Sequence, residues 1–283
     1  MWHARSFVSS DGLTLSYRDY PGPPGAGHVP ALCLPGLTRN ARDFEALALE
    51  LARSRRVLSP DLRGRGRSDY DPVAANYHPG TYLRDVQELL AVASAPRVLA
   101  IGTSLGGLLT LLLAAAKPGA LAGAVLNDIG PVVDEAGLAR IRGYVGKSGV
   151  LRTWEEAADA CRASNGAAFP GFTDGDWLAF ARRTCVATPG GVRFDYDPRI
   201  AEPFGAGAAP AAADPWTLWA PLARVPTLVI RGAHSDILSA ATLAEMQRRK
   251  PDTQTLTVAN RGHAPLLDEP EALAAIRAFA AQR

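Results

Sequence analysis

Gly102-Thr103-Ser104-Leu105-Gly106 sets a serine between glycines, directly after an apolar run of strand character and directly before one of helical character. A serine on such a strand-to-helix turn is forced into strained backbone angles, and the flanking glycines leave room for the turn. Its hydroxyl is lifted to the N-terminal end of a helix, where the dipole favours developing negative charge. That arrangement suits nucleophilic acyl transfer, with Ser104 as nucleophile and the Leu105 backbone N–H as one oxyanion donor. The second donor is expected from the loop Leu34-Pro35-Gly36-Leu37-Thr38-Arg39-Asn40, where Gly36 permits close approach and Leu37 supplies the N–H.

A serine hydroxyl needs a base, and histidine is the side chain suited to that task near neutrality. Of His3, His28, His78, His234 and His263, only His263 follows the last strand and precedes the C-terminal helix. Loops at the carboxyl ends of parallel strands converge on the site of a doubly wound sheet, so His263 is the expected base. An acid must orient the imidazole and stabilise its charged form. Asp236, just past a strand in Arg231-Gly232-Ala233-His234-Ser235-Asp236, is the expected acid. Asp128, which also ends a strand, is its rival.

The elements needed to hold these residues are visible as alternation. Ser10-Asp11-Gly12 between apolar runs signals a hairpin. Strands are expected at Ala31 to Leu34, Arg56 to Ser59, Arg97 to Ile101, Gly123 to Asn127, Pro226 to Arg231 and Thr253 to Ala259. Helices are expected at Ala41 to Arg53, Thr81 to Ala93, from Leu105, Ala240 to Lys250 and Ala272 to Ala281. This rhythm means an α/β fold, a mainly parallel sheet with helices on both faces. It breaks from Pro131 to about Pro221, a stretch of helical patterns and aromatics, with an Ala/Gly/Pro loop at Phe204 to Asp214. The expected division is a core of residues 1–131 and 222–283 with a helical cap at 132–221.

At these residues the chain resembles the α/β-hydrolase superfamily. The resemblance is carried by Leu34-Pro35-Gly36-Leu37-Thr38, Asp61-Leu62-Arg63-Gly64-Arg65-Gly66-Arg67-Ser68, Gly102 to Gly107, Arg231-Gly232 with Ser235-Asp236, and Gly262-His263. It is most similar to the capped bacterial branch holding esterases, enol-lactonases and meta-cleavage-product hydrolases. The resemblance implies an eight-stranded core and a helical cap with the pocket between them. Serine at the turn, instead of aspartate, argues against an epoxide hydrolase or a haloalkane dehalogenase. Ala264 stands where meta-cleavage relatives often carry tryptophan, which weakens the case for C–C cleavage.

The expected activity is hydrolysis of an ester or lactone of a small, largely apolar substrate through an acyl-enzyme on Ser104. The alternatives are a C–C bond hydrolase of the meta-cleavage-product type and a ligand-binding signalling protein on the same fold. Arg39, Tyr144, Trp154 and Trp177 are candidate substrate-binding residues, Arg39 for a substrate carboxylate. The 283 residues carry 47% apolar and 20% charged side chains and a net charge of +2, which gives nucleic acid or a membrane surface little to attract. The arginine–glycine run Asp61 to Ser68 therefore reads as a loop and not as an RNA-binding tract. No phosphate loop, zinc-helix motif or dinucleotide fingerprint is present, so no cofactor and no metal are expected. Three scattered cysteines, no signal-peptide core and no run long enough to span a membrane point to a cytoplasmic monomer or homodimer with a small-molecule substrate.

Overall fold

The computed structural model of the chain describes residues 1–25, 27–205 and 214–283. Most of the loop expected at Phe204 to Asp214, residues 206–213, lies outside the described residues. In chain order the strands are β1 His3–Val8, β2 Thr14–Tyr20, β3 Ala31–Leu34, β4 Val57–Pro60, β5 Val98–Thr103, β6 Leu121–Asn127, β7 Cys185–Thr188, β8 Gly191–Phe194, β9 Thr227–Gly232 and β10 Gln254–Val258. The α-helices are α1 Glu45–Leu51, α2 Pro79–Val92, α3 Leu105–Ala116, α4 Glu135–Tyr144, α5 Trp154–Asn165, α6 Asp174–Thr184, α7 Ala201–Gly205, α8 Ala240–Arg249 and α9 Pro270–Ala280.

Eight strands form one sheet in the order β1-β2-β4-β3-β5-β6-β9-β10. β1 and β2 are antiparallel to their neighbours, and the remaining pairs are parallel. β3, β4 and β6 are buried along their whole length, as continuous apolar runs covered on both faces must be. One buried cluster joins the sheet to α2, α3 and the segment after β6, and a second packs the sheet against α1 and α9. The parallel strands β3, β5, β6, β9 and β10 thus aim their carboxyl ends at one edge.

Between β6 and β9 the chain leaves the sheet. This segment holds α4 to α7 and, beyond the helices expected there, a hairpin of β7 and β8. The turn is Pro189-Gly190, a turn signal flanked by strand-forming residues that the aromatic, helix-rich surroundings obscure. The segment has its own apolar cluster, in which Phe169, Phe172, Trp177 and Phe180 meet edge-on or stacked. No helix among the described residues is long and apolar enough to cross a membrane.

The arginine–glycine run is the lock between these parts. Gly66 N–H donates to the Asp195 carbonyl and Asp197 N–H donates to the Gly64 carbonyl, stitching the loop after β4 to the chain after β8. Gly64 and Gly66 both lie at positive φ, and a Cβ on either would strike Tyr77 or the Asp61 carboxylate. Arg63 is 0% exposed and bonds Asp11, Asp71 and Asp85, at 2.9, 2.5 and 2.6 Å. Removing one member of a buried charge cluster leaves the others uncompensated.

Arg63→Met should therefore destabilise the fold by about 3–5 kcal/mol, read from denaturant midpoints. Asp11 offers the pH counterpart. Partial burial pushes its carboxyl up, but the hydrogen bonds of Arg63 and Ser9 and the charges of Arg63 and Arg84 outweigh this and hold it below 3.8. A depressed carboxylate stabilises the fold above its unfolded value and stops doing so as pH falls. Asp11→Asn should cost stability at neutral pH, and its gap to wild type should narrow below pH 3.8.

Candidate active site

Ser104 follows β5 and opens α3 with φ 52° and ψ −115°, a conformation few non-glycine residues adopt. The turn is possible because a Cβ at Gly102 would lie 2.2 Å from the Gly106 carbonyl oxygen, and one at Gly106 would lie 2.0 Å from that of Leu34. Both positions therefore exclude every side chain. The turn is anchored by Ser104 N–H, which donates to the Asn127 carbonyl at 3.0 Å. The Asn127 side chain in turn donates to Thr103 Oγ1 at 3.0 Å and to the Pro265 carbonyl at 2.8 Å. One asparagine at the end of β6 thus ties the serine turn to the histidine loop, a role the sequence reading missed.

His263 Nε2 lies 2.9 Å from Ser104 Oγ, and its Nδ1 lies 2.8 Å from Asp128 Oδ2. This is a serine–imidazole–carboxylate chain with the base between its two partners. Asp128 directly follows β6, at φ 57°, with 0% exposure. Its carboxylate also accepts from Gly232 N–H at 2.8 Å and from Ser235 Oγ at 2.6 Å. Ser235 Oγ accepts the N–H groups of Ile237 and Leu238, so its proton is directed at the carboxylate.

Asp236, expected as the acid, is placed elsewhere. It takes a two-pronged bond from Arg140 of α4, at 2.6 and 2.9 Å, and makes no hydrogen bond to His263. Burial raises its pKa, but the Arg140 hydrogen bond and charge outweigh it and lower the value overall. The chain order serine, aspartate, histidine holds equally for Asp128, so order could not separate the two. What separates them is Arg140, a partner from a distant helix that claims Asp236.

The oxyanion expectations rest on two backbone groups. Neither Leu37 N–H nor Leu105 N–H has a hydrogen-bond partner among the described residues, and both residues line cavities that reach Ser104. The Leu37 loop is fixed from behind by Arg65, which is 0% exposed and donates to the Leu37 carbonyl at 2.9 Å, the Arg63 carbonyl at 2.7 Å and Tyr82 Oη at 2.9 Å. Asp61 secures the next turn by accepting from Ala41 N–H at 2.8 Å.

Arg39 and Tyr144 both line a cavity at Ser104. Trp154 and Trp177 do not. Trp177 is 3% exposed inside the aromatic cluster, and Trp154 packs on its edge beneath Arg182. Their helices bury them against each other's aromatics instead of presenting them to the serine. His234 is exposed, with its backbone N–H bonded to the Arg261 carbonyl.

Residues 31–276 match the family model described as "Alpha/beta hydrolase family". The chain belongs to that family. It is similar to an alpha/beta hydrolase from Novosphingobium aromaticivorans, at 50% identity and a TM-score of 0.94, covering 100% of this chain and 99% of that one. It is 34% identical over 275 residues to the 3-hydroxybutyrate-oligomer hydrolase of Cupriavidus necator, covering 94% of this chain and 93% of the relative. It is 26% identical over 264 residues to the 2-(acetamidomethylene)succinate hydrolase of Mesorhizobium japonicum, covering 89% and 85%.

A fluorophosphonate probe reads nucleophile activation without any choice of substrate. It should label Ser104 of the folded protein. Asp128→Asn should slow labelling by about 10³–10⁴ through loss of the oriented imidazole. Asp236→Asn should slow it far less, and equal losses in the two variants would overturn the assignment of Asp128.

Proposed function

We propose that this α/β hydrolase is a serine esterase working through an acyl-enzyme on Ser104, with His263 as base and Asp128 as acid. The observation that carries the reading is the unbroken chain from Asp128 Oδ2 through both imidazole nitrogens to Ser104 Oγ, at 2.8 and 2.9 Å. Ser104 Oγ attacks the ester carbonyl carbon while its proton passes to His263 Nε2. The carbonyl oxygen gains the negative charge and takes hydrogen bonds from Leu37 N–H and Leu105 N–H. Collapse of this adduct breaks the bond to the leaving oxygen, which receives the proton from His263. Water then attacks the acyl-enzyme, gives its proton to His263, and the acid departs as Ser104 regains that proton. The balance is ester and water to carboxylic acid and alcohol.

Each fixed oxyanion donor in such a site is worth about 10²–10³ in turnover. Arg65 supports one of them from behind, which gives the buried arginine a use in the reaction. The described residues between 132 and 221 act as a cap that closes over Ser104 from the side of α4, α5, α6 and β8, all of which contribute cavity-lining residues. The Cupriavidus necator relative, named for 3-hydroxybutyrate oligomers, supports an ester as the scissile bond, because such oligomers are joined by esters.

The test is turnover of 4-nitrophenyl butyrate by wild type and by a folded Ser104→Ala variant. Wild type should hydrolyse it and the variant should fall to the buffer rate. Turnover that survives the substitution would sink the acyl-enzyme reading.

A further inference from the structure

Ser104 stands between two cavities. Ser104 and Leu37 line both, whereas His263 lines only the smaller, of about 90 Å³, and Leu105 only the larger, of about 350 Å³. If Ser104 works as proposed above, the two halves of the substrate cannot choose freely between them. The leaving oxygen must receive its proton from His263 Nε2, so the alcohol half has to extend into the chamber that the imidazole lines. The acyl half is left with the other.

The two chambers differ in chemistry. The larger is lined mostly by apolar side chains, among them Leu108, Ile129, Val133 and Phe204, and its one arginine, Arg142, is already paired with the Glu135 carboxylate. The smaller is mixed: aromatic rings such as Phe169 and Phe194 share it with Arg39, Asp43 and the hydroxyl and amide side chains of Ser148 and Asn165. Arg39 is placed firmly. Its Nε and Nη2 donate to the two oxygens of Asp43 at 2.6 and 2.8 Å, and its guanidinium carbon lies 4.2 Å above the Phe180 ring. The side chain is only 16% exposed. Burial alone would lower its pKa, but Asp43 raises it overall, so the cation is secure. The Asp43 fork occupies one edge of the guanidinium, and Nη1 has no hydrogen-bond partner among the described residues. A rigid, desolvated arginine with a free donor in a small, mostly apolar chamber is built to receive a planar anion.

We propose that the substrate is an acylated hydroxycarboxylic acid. A short hydroxy acid is the leaving alcohol, its free carboxylate held at Arg39 Nη1, and a larger apolar acyl group fills the chamber beyond Leu105. Asp43 keeps Arg39 from binding anions indiscriminately, because its charge offsets part of the attraction for any carboxylate not also held at Ser104. Arg39 is then a specificity residue and His263 fixes the direction in which the substrate lies.

The test compares three butyryl esters with wild type, Arg39→Gln and Arg39→Lys: O-butyryl-3-hydroxybutyrate, its carboxamide, and butyrylcholine. Wild type should favour the carboxylate over the carboxamide by at least about tenfold in kcat/KM, mostly through KM, and should disfavour the cationic ester. Arg39→Gln should bring the carboxylate-to-carboxamide ratio near one, and Arg39→Lys should restore part of it. Leu138→Trp, which narrows the other chamber, should shorten the preferred acyl chain in a 4-nitrophenyl ester series and leave the carboxylate preference in place. Ser104-dependent turnover of 4-nitrophenyl butyrate with no preference for the carboxylate, or with a preference for the cationic ester, overturns this assignment and leaves the esterase reading standing. No Ser104-dependent turnover of any ester removes both.

Discussion

Asp128 has no exposed surface, and among the described residues its only side-chain partner of basic type is the His263 imidazole. A carboxylate taken out of water in that way must recover its hydration from fixed donors. Asp128 recovers it from three, on Gly232, Ser235 and His263, each hydrogen bond to a charged group being worth about 1.5–3 kcal/mol. Those donors come from the end of β9, the loop behind it and the loop after β10. The buried charge therefore holds the carboxyl ends of β6, β9 and β10 in one register. Asn127, one residue earlier, extends the same constraint to the serine turn and to Pro265.

A second constraint runs through cations. Arg63 is buried among three carboxylates, while Arg65, two residues on, is equally buried and makes no ion pair among the described residues. Arg65 donates through Nε to the Leu37 carbonyl and through Nη1 to the Arg63 carbonyl and Tyr82. Arg55, also buried without a carboxylate, bonds carbonyls at Val29 and Ala280, at the opposite end of the sheet from Ser104. Arg65 differs in its neighbour: the loop it grips carries an unspent N–H beside the serine. An unneutralised positive charge behind that loop is costly in the resting protein and favourable when an oxyanion forms. The arginine–glycine run, which invites a nucleic-acid reading when seen as text, is in the fold the support of the Leu37 loop and its seam with the chain after β8.

Much of this was legible in the sequence because it is local. The serine turn needs glycines at 102 and 106 for contacts within a few residues and with β3, and alternation placed the parallel strands within a few residues of where they lie. The acid was less legible because it is decided by partners far away in the chain. Asp128 and Asp236 both follow strands, both precede His263 and both sit near glycine or small residues. Only Arg140, 96 residues from Asp236, removes one of them from contention. The aromatics failed for a related reason. Trp154 and Trp177 are the large residues a cap would use to line a pocket, yet aromatic rings at helical spacing also pack on one another, and the cluster around Phe169 and Phe180 took them.

The position of Asp128, just after β6 and bonded to His263, also explains what the β9 loop does instead. With Asp128 holding His263, Asp236 is free to pair with Arg140, and α4 is drawn down over the end of the sheet. Gly137 makes this approach possible, since a Cβ there would lie 2.3 Å from the Asp236 carbonyl oxygen. α4 contributes Ile141 to both cavities, Tyr144 to the smaller and Leu138 to the larger. The helix that lines both chambers is thus tied to the aspartate that makes no bond to His263. One carboxylate holds the His263 imidazole and the other holds α4, and the two sit at the ends of neighbouring strands of the same sheet.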